Sequence, residues 1–594
     1  MTLHPSGDHL ASIALALLIS LGVLVGATVS APHEALSDGG NKPGESYPVR
    51  LYVRDRDHLN RVAGRLDIWE THPDKGYVVA AVTSDERRRL NDLGYRTERH
   101  VEAAAGAEAG AVLDPRFHYF DDQHPNANGR YVVDFLQDVE ATFPNITELI
   151  DIGDAWQATQ SGEPQRDIWV LRISNESPVL GPVEEKPAFF LSAGAHAREV
   201  ATPELAIRYI DHLTGGYQGE GGYGVDPDVT WLVDHHAAYV LVMRNPDGHV
   251  ENEREVAANR RKNVDSDDGC SYANRWGVDL NRNHSFLWSC CGGSSPEPCD
   301  EVYRGPARSS EPETEALEAY FATVMADQNG PNGDDEIPPA APITTTGIFI
   351  SLHSYGDLVL WPWGFDSEDA APNQTGLRTI GRKIAGFNGY DPRGSIWYEV
   401  DGAADDWAYG TFGIPSFTLE VGPTAWGSGG DDCSGFFPPY ECIDGYAGRS
   451  FWAENRPALL YAHKIAATPY RSARGPDCEG VVVTPVRAAP GEAGQVIATL
   501  VDRRCCGDTP STTVDAEYFI DAPGENGTGI PMEAADGAWG DLSEEVAAAV
   551  DTSPLNPGRH TILVHGKSEE GHWGPFSAGF FYTGHDTYLP LTAR

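Results

Sequence analysis

A central α/β domain, built on a mixed, mostly parallel sheet flanked by helices, is the fold class the sequence predicts. A small α/β unit is expected before it and a β-sandwich after it. Three observations carry this. Between residues 116 and 468, apolar runs at 168–173, 188–192, 239–243, 347–352 and 416–421 lack polar alternation, as strands buried on both faces of a sheet do. Helical periodicity fills the intervals at 128–143, 203–213, 311–326 and 377–386. After Pro476 the pattern changes to short alternating runs broken by Gly and Pro, at 481–484, 495–501, 514–520, 560–566 and 578–582.

In chain order, residues 10–26 form one apolar run followed by Val29-Ser30-Ala31, which resembles a signal-peptidase site. Residues 1–31 are therefore expected to be a secretion signal, with an uncleaved anchor as the alternative. Residues 32–45 read as a linker. The unit at 46–100 is expected to alternate strands at 49–53, 77–82 and 95–98 with helices at 56–65 and 84–93. The Ala-, Gly- and Glu-rich stretch 101–112 reads as a connecting segment. The central domain is placed at 116–468 and an Ig-like sandwich at 476–584. The 594 residues accommodate this number of domains.

Composition narrows the function. The chain has 88 acidic and 43 basic side chains, a net charge of −45, and only seven of the basic residues are Lys. Such a surface is unsuited to nucleic acid or to an anionic membrane. Nine cysteines in local groups, with no CxxC spacing, suggest disulfides in an oxidising compartment. Cys433 with Cys442 is the pair expected first. An odd count leaves one thiol over.

The chemistry begins at AFFLSAGAHARE, residues 188–199, where a buried strand runs into a small-residue turn carrying His196 and Glu199. Three residues apart at a strand exit, the two side chains can turn toward one point, and zinc accepts both donor types. Alone the pattern is weak. MRNPDG at 243–248, RRKN at 260–263, GVDLNRN at 277–283, GIFISLHSY at 347–355, WYEVDGAADDW at 397–407 and IPSFTLEVG at 414–422 follow in order. His353 and Glu420 thus stand at the ends of buried strands, where α/β sheets build sites.

This ordered set resembles the zinc carboxypeptidase family that includes carboxypeptidases A, B and T, over roughly residues 116–468. The resemblance implies one zinc ion held by His196, Glu199 and His353, with Asp279 orienting the first histidine. It implies Glu420 as the catalytic carboxylate and Arg261 as the group that polarises the scissile carbonyl. Asn281 and Arg282 match the clamp for a substrate's terminal carboxylate, Tyr398 the mobile cap over that terminus, and Arg198 a further arginine along the substrate path. The pocket-base position falls on Asp405, as in B-type enzymes, and favours C-terminal Lys or Arg. Gly364 is like the A-type pocket wall, and Arg393 aligns near the pocket, where it could neutralise Asp405.

The expected activity is removal of single C-terminal residues from peptides and proteins by a secreted, monomeric enzyme of basic-leaning or broad specificity. Two competing readings are cleavage of cell-wall stem peptides and an inactive relative that binds through the sandwich. The unit at 46–100 resembles activation domains in size and place, which implies a precursor cut between Arg99 and Arg116. Cys290-Cys291 and residues 329–341 are expected to be surface insertions. The acidic stretches 265–268 and 334–336 read first as solvated surface loops, with calcium binding as the alternative.

Overall fold

The computed structural model describes residues 44–100, 113–120, 132–161, 166–220, 224–255, 259–272, 275–330, 333–366, 370–424 and 432–584. The expected signal segment, the connecting stretch 101–112 and residues 585–594 lie outside these.

The N-terminal unit runs β1 (Ser46–Tyr52), α1 (Arg56–Ala63), β2 (Asp67–His72), β3 (Tyr77–Thr83), α2 (Ser84–Asp92) and β4 (Arg96–Arg99). Local chemistry starts both helices. The Asp55 side chain accepts from His58 N, and Thr83 and Glu86 form a reciprocal capping box. The antiparallel sheet has the order β2-β3-β1-β4, a split βαβ arrangement. Strand β2 is absent from the sequence expectation. Its DIWETH sequence lacks an alternating apolar face, and it is held by pairing along β3, from Asp67↔Ala81 to His72↔Tyr77.

The central domain holds β5 (Thr147–Asp154), β6 (Asp167–Ile173), β7 (Ala188–Ser192), β8 (Ala237–Leu241), β9 (Ile348–His353), β10 (Leu358–Leu360), β11 (Asp391–Arg393) and β12 (Ser416–Glu420). They form one sheet in the order β11-β10-β12-β9-β7-β8-β6-β5. The centre, β12-β9-β7-β8, is parallel; β5, β6 and β10 join antiparallel. Every residue of β7 and β9 is buried, the physical reason these runs show no polar alternation. The helices are α3 (Val132–Thr142), α4 (Ala201–Gln218), α5 (Pro227–His235), α6 (Pro246–Arg254), α7 (Pro312–Val324), α8 (Gln374–Asn388), α9 (Ala404–Phe412) and α10 (Phe451–Ile465). Strands β5, β10 and β11 and helices α5, α6, α9 and α10 add to the expected set. Two of these strands have only three residues and take their form from their neighbours.

The C-terminal region contains β13 (Asp477–Thr484), β14 (Arg487–Ala488), β15 (Gly494–Val501), β16 (Thr513–Ile520), β17 (Ile530–Pro531), β18 (Glu533–Ala534), β19 (Ser543–Val550), β20 (Gly558–Ser568) and β21 (Ser577–Thr583). They form a four- and a five-stranded sheet around Val496, Leu500, Val546, Val564 and Phe581. The alanines of β19 (SEEVAAAV) concealed that strand from hydrophobic patterning. Four disulfides form: Cys270–Cys299, Cys290–Cys291, Cys433–Cys442 and Cys505–Cys506. Cys478 is the odd thiol, free and buried.

The sandwich is fixed to the central domain. Trp231 and Leu232 of α5 share a buried cluster with Phe519, Leu563 and Ala578. Around it, Asp228 accepts from Ala578 N and Lys464, and Lys383 donates to Gly475 O and Asp477. Leu232 is fully buried in this seam. Leu232→Ala is expected to cost about 2–5 kcal/mol, the range for deleting a buried leucine side chain, read as a lower denaturant midpoint. An unchanged midpoint would mean the seam contributes nothing to stability.

Candidate active site

Parallel pairing builds the centre of the site. Strands β9 and β12 run side by side in register, so their last residues, His353 and Glu420, are direct neighbours. Strand β7 pairs with β9 on the other side and ends one short turn before His196. Gly194 makes that turn possible: its φ is +67°, and a Cβ there would lie 2.9 Å from Met243 Sδ.

The donor atoms of His196, Glu199 and His353 lie within 4.8 Å of one another, and all three residues are buried. Among the described residues they are the one such group of three, and the stretches at 265–268 and 334–336 form none. Asp334 and Asp335 instead pair with Arg308. His196 Nδ1 is 2.7 Å from Glu199 Oε1 and 3.1 Å from His353 Nδ1, which is itself 3.1 Å from Glu199 Oε2. Two ring nitrogens facing each other beside a carboxylate suit a cation between them. His196 Nε2 lies 3.1 Å from Asp279 Oδ1, which assigns the ring proton to Nε2 and leaves Nδ1 as a lone-pair donor. The donor set of two imidazoles and one carboxylate fits zinc with a position left open.

Charges around this group are tightly balanced. Asp279 is fully buried, and burial alone would raise its carboxyl. Arg261, Arg282 and His196 overcome this and hold it well below the usual range. Its Oδ2 receives Arg261 Nε at 2.9 Å, and its Oδ1 receives the Asn281 N–H at 2.9 Å. One carboxylate thus sets a histidine, the arginine and the turn at 280–282 together. Burial lowers Arg261, but Asp279, Asp67 and Glu199 more than offset it and keep the guanidinium charged. Glu420 is pushed up to about 7, first by burial and then by Glu199, with His353 and Arg261 opposing.

One cleft of about 160 Å³ is lined by His196, Glu199, His353, Glu420, Arg261, Asn281, Arg282, Arg198, Tyr398 and Asp405. The structure therefore brings together every site residue expected from sequence. Arg282 donates to Asn281 O at 2.7 Å, and Asn281 Oδ1 accepts from Ala404 N at 2.9 Å, tying residues 281 and 282 to the start of α9. Asp405 sits in the first turn of α9, bonded to Thr418, and burial raises its carboxyl. Arg393 lines the cleft, but its partner is Asp391, with Nε at 2.8 Å. The neutralisation of Asp405 that Arg393 could have supplied is replaced by this pair within β11.

Five residues of the N-terminal unit, Asp67 to Thr71, were not anticipated at the site. Asp67 receives both terminal nitrogens of Arg198, at 2.8 and 2.7 Å, and also Trp69 Nε1. Trp69 packs edge-on against Phe436, whose ring lies 4.0 Å from the Arg198 guanidinium carbon. Ile68, Trp69, Glu70 and Thr71 line the same cleft. Arg198 is thus already paired, and Tyr398 is buried with Leu59, Val62, Ala63 and Leu66 of the N-terminal unit. No sequence pattern could reveal this, because β2 lacks periodicity and its partners lie more than a hundred residues away.

A family model described as zinc carboxypeptidase matches residues 132–452. A zinc carboxypeptidase of Saccharothrix mutabilis subsp. capreolus is 28% identical over 324 residues, covering 52% of this chain and 64% of that protein. Human carboxypeptidase B is 25% identical over 432 residues, covering 68% and 92%. The solved carboxypeptidase A from Helicoverpa armigera superposes with a TM-score of 0.51 at 20% identity, over 71% of this chain and 98% of that one; the likeness is one of fold. Among the described residues no helix is long and apolar enough to cross a membrane. With a buried His–Glu–His group at the ends of parallel strands and a family match spanning more than half its length, the chain belongs to the zinc carboxypeptidase family of peptide hydrolases.

Proposed function

We propose that the chain is the precursor of a secreted metallocarboxypeptidase that removes one residue at a time from peptide C-termini, with preference for basic residues. The observation that carries this is the shared cleft, in which Asn281 and Arg282 lie beside the His196–Glu199–His353 group and Glu420. A clamp for a free carboxylate next to a hydrolytic centre selects the last peptide bond.

When bound by His196, Glu199 and His353, zinc supplies Lewis acidity toward the scissile carbonyl and acidifies a water molecule. Glu420 takes a proton from the attacking water and returns it to the leaving amine. Arg261, held charged by Asp279, bears on the carbonyl oxygen as negative charge develops there. Arg282 and Asn281 hold the terminal carboxylate, and Tyr398 closes over it.

Asp405 supports the basic preference, since it lines the cleft while Arg393, the arginine nearest in expectation, is engaged by Asp391. Peptides ending in Arg are expected to have kcat/KM about 10–100-fold above the same peptides ending in Leu. Asp405→Ala should erase that ratio. A C-terminal residue panel, run with and without a zinc chelator, tests both points. Arg peptides cleaved no faster than Leu or Phe peptides would remove the role given to Asp405.

Secretion is supported by the apolar N-terminal run and the four disulfides. The precursor reading is supported by strand β2, which lies in the cleft with Asp67 on Arg198.

A further inference from the structure

We propose that Asp401 is a positioning residue for the capping tyrosine, held in place by the chain's own Cys290–Ser294 turn. The inference rests on the carboxypeptidase reading above.

Tyr398 lies on the turn-rich stretch 394–403 that joins β11 to α9. Such a stretch has no ladder to fix it. Three residues beyond Tyr398, the side chain of Asp401 is only 1% exposed. Its carboxylate accepts from Gly293 N at 2.9 Å and Cys291 N at 3.2 Å, and also from the Ser294 hydroxyl. Arg304 donates to Ser294 O at 3.1 Å and so brings a positive charge to the turn. A buried carboxylate is costly unless such donors are complete, so their convergence marks a built contact.

The turn is shaped for this contact. The Cys290–Cys291 bond closes it covalently, which narrows the conformations available to the residues whose N–H groups meet Asp401. Gly293 is in close approach: a Cβ there would lie 2.5 Å from Asp401 N and 2.6 Å from Val400 Cα. The insertion expected to be a surface loop thus reaches the stretch that carries Tyr398.

The contact is also independent of the N-terminal unit. That unit holds the stretch separately, with Asn60 Oδ1 accepting from Glu399 N at 3.1 Å. Gly64 meets the turn so closely that a Cβ there would lie 1.9 Å from Gly292 O. Both contacts vanish when the unit leaves. Asp401 remains, together with Val400 N on Gly364 O and Gly402 O under His284 N. In the processed enzyme these pin the chain just past Tyr398, so the ring closes from a fixed base.

The test uses the full chain, nicked between Arg99 and Arg116 by trypsin, and a blocked peptide ending in arginine. Asp401→Ala and Gly293→Ala are each measured alone and combined with Tyr398→Ala. Each single variant is expected to raise KM on the order of tenfold while kcat stays within about twofold, because the cap contributes binding rather than proton transfer. Neither should raise KM further once Tyr398 is alanine. An unchanged KM in both variants, or a loss of kcat that persists on the Tyr398→Ala background, overturns the inference. If the wild-type nicked chain releases no C-terminal residue, the carboxypeptidase reading itself fails and takes this with it.

Discussion

Glu420→Gln is expected to lower kcat by about 10²–10⁴-fold while leaving zinc content and KM nearly unchanged. The amide keeps the shape of the side chain but cannot take a proton. The residue is half-buried at the end of β12 beside His353, and the neighbouring carboxylate of Glu199 is engaged by His196 and His353 and cannot replace it. Metal analysis and steady-state rates on the same preparation check both parts. Turnover surviving intact would break the mechanism.

The same group is expected to set the acid limb of the pH profile. Burial pushes Glu420 up to about 7, so as pH falls through that value the carboxylate gains a proton and activity falls. A bound cation favours the charged form and draws the limb below 7. The sign follows from the role: the working form is the deprotonated one, and activity is present above the pKa.

Asp67→Ala is the second large effect. Asp67 and Arg198 are both buried and share two hydrogen bonds, so removing the carboxylate leaves an uncompensated guanidinium. Breaking one partner of such a pair costs about 3–5 kcal/mol, or roughly 150- to 5,000-fold in the equilibrium that holds the N-terminal unit over the cleft. The uncut Asp67→Ala chain is therefore expected to hydrolyse peptides well above the uncut wild type, and tryptic nicking should bring both to the same rate. Assays before and after trypsin measure this. Full activity of the uncut wild-type chain would sink the precursor reading.

The two variants probe parts of the molecule that differ in how visible they were in the sequence. His196, Glu199, His353 and Glu420 were legible because each follows a continuous apolar run, and a buried parallel strand delivers its last side chains to one edge of the sheet. Asp279, Arg261, Asn281 and Arg282 were legible as ordered motifs. Strand β2, by contrast, has no apolar face of its own, and β19 is masked by alanine. The Asp401 contact joins an insertion to a loop with no periodic pattern in either.

The sequence by itself determined the chemical inventory: which residues could bind a metal, move a proton and hold a carboxylate, and which strands bring them to one edge. Short-range patterning suffices for that, because burial on both faces of a strand leaves a local record. Only the tertiary structure decided that Arg198 is engaged by Asp67, that Arg393 pairs with Asp391 rather than Asp405, and that the sandwich is fused through Leu232 and Leu563. Whether a charge is paired or free depends on which neighbour chain geometry brings within about 3–4 Å, and the local sequence keeps no trace of that choice.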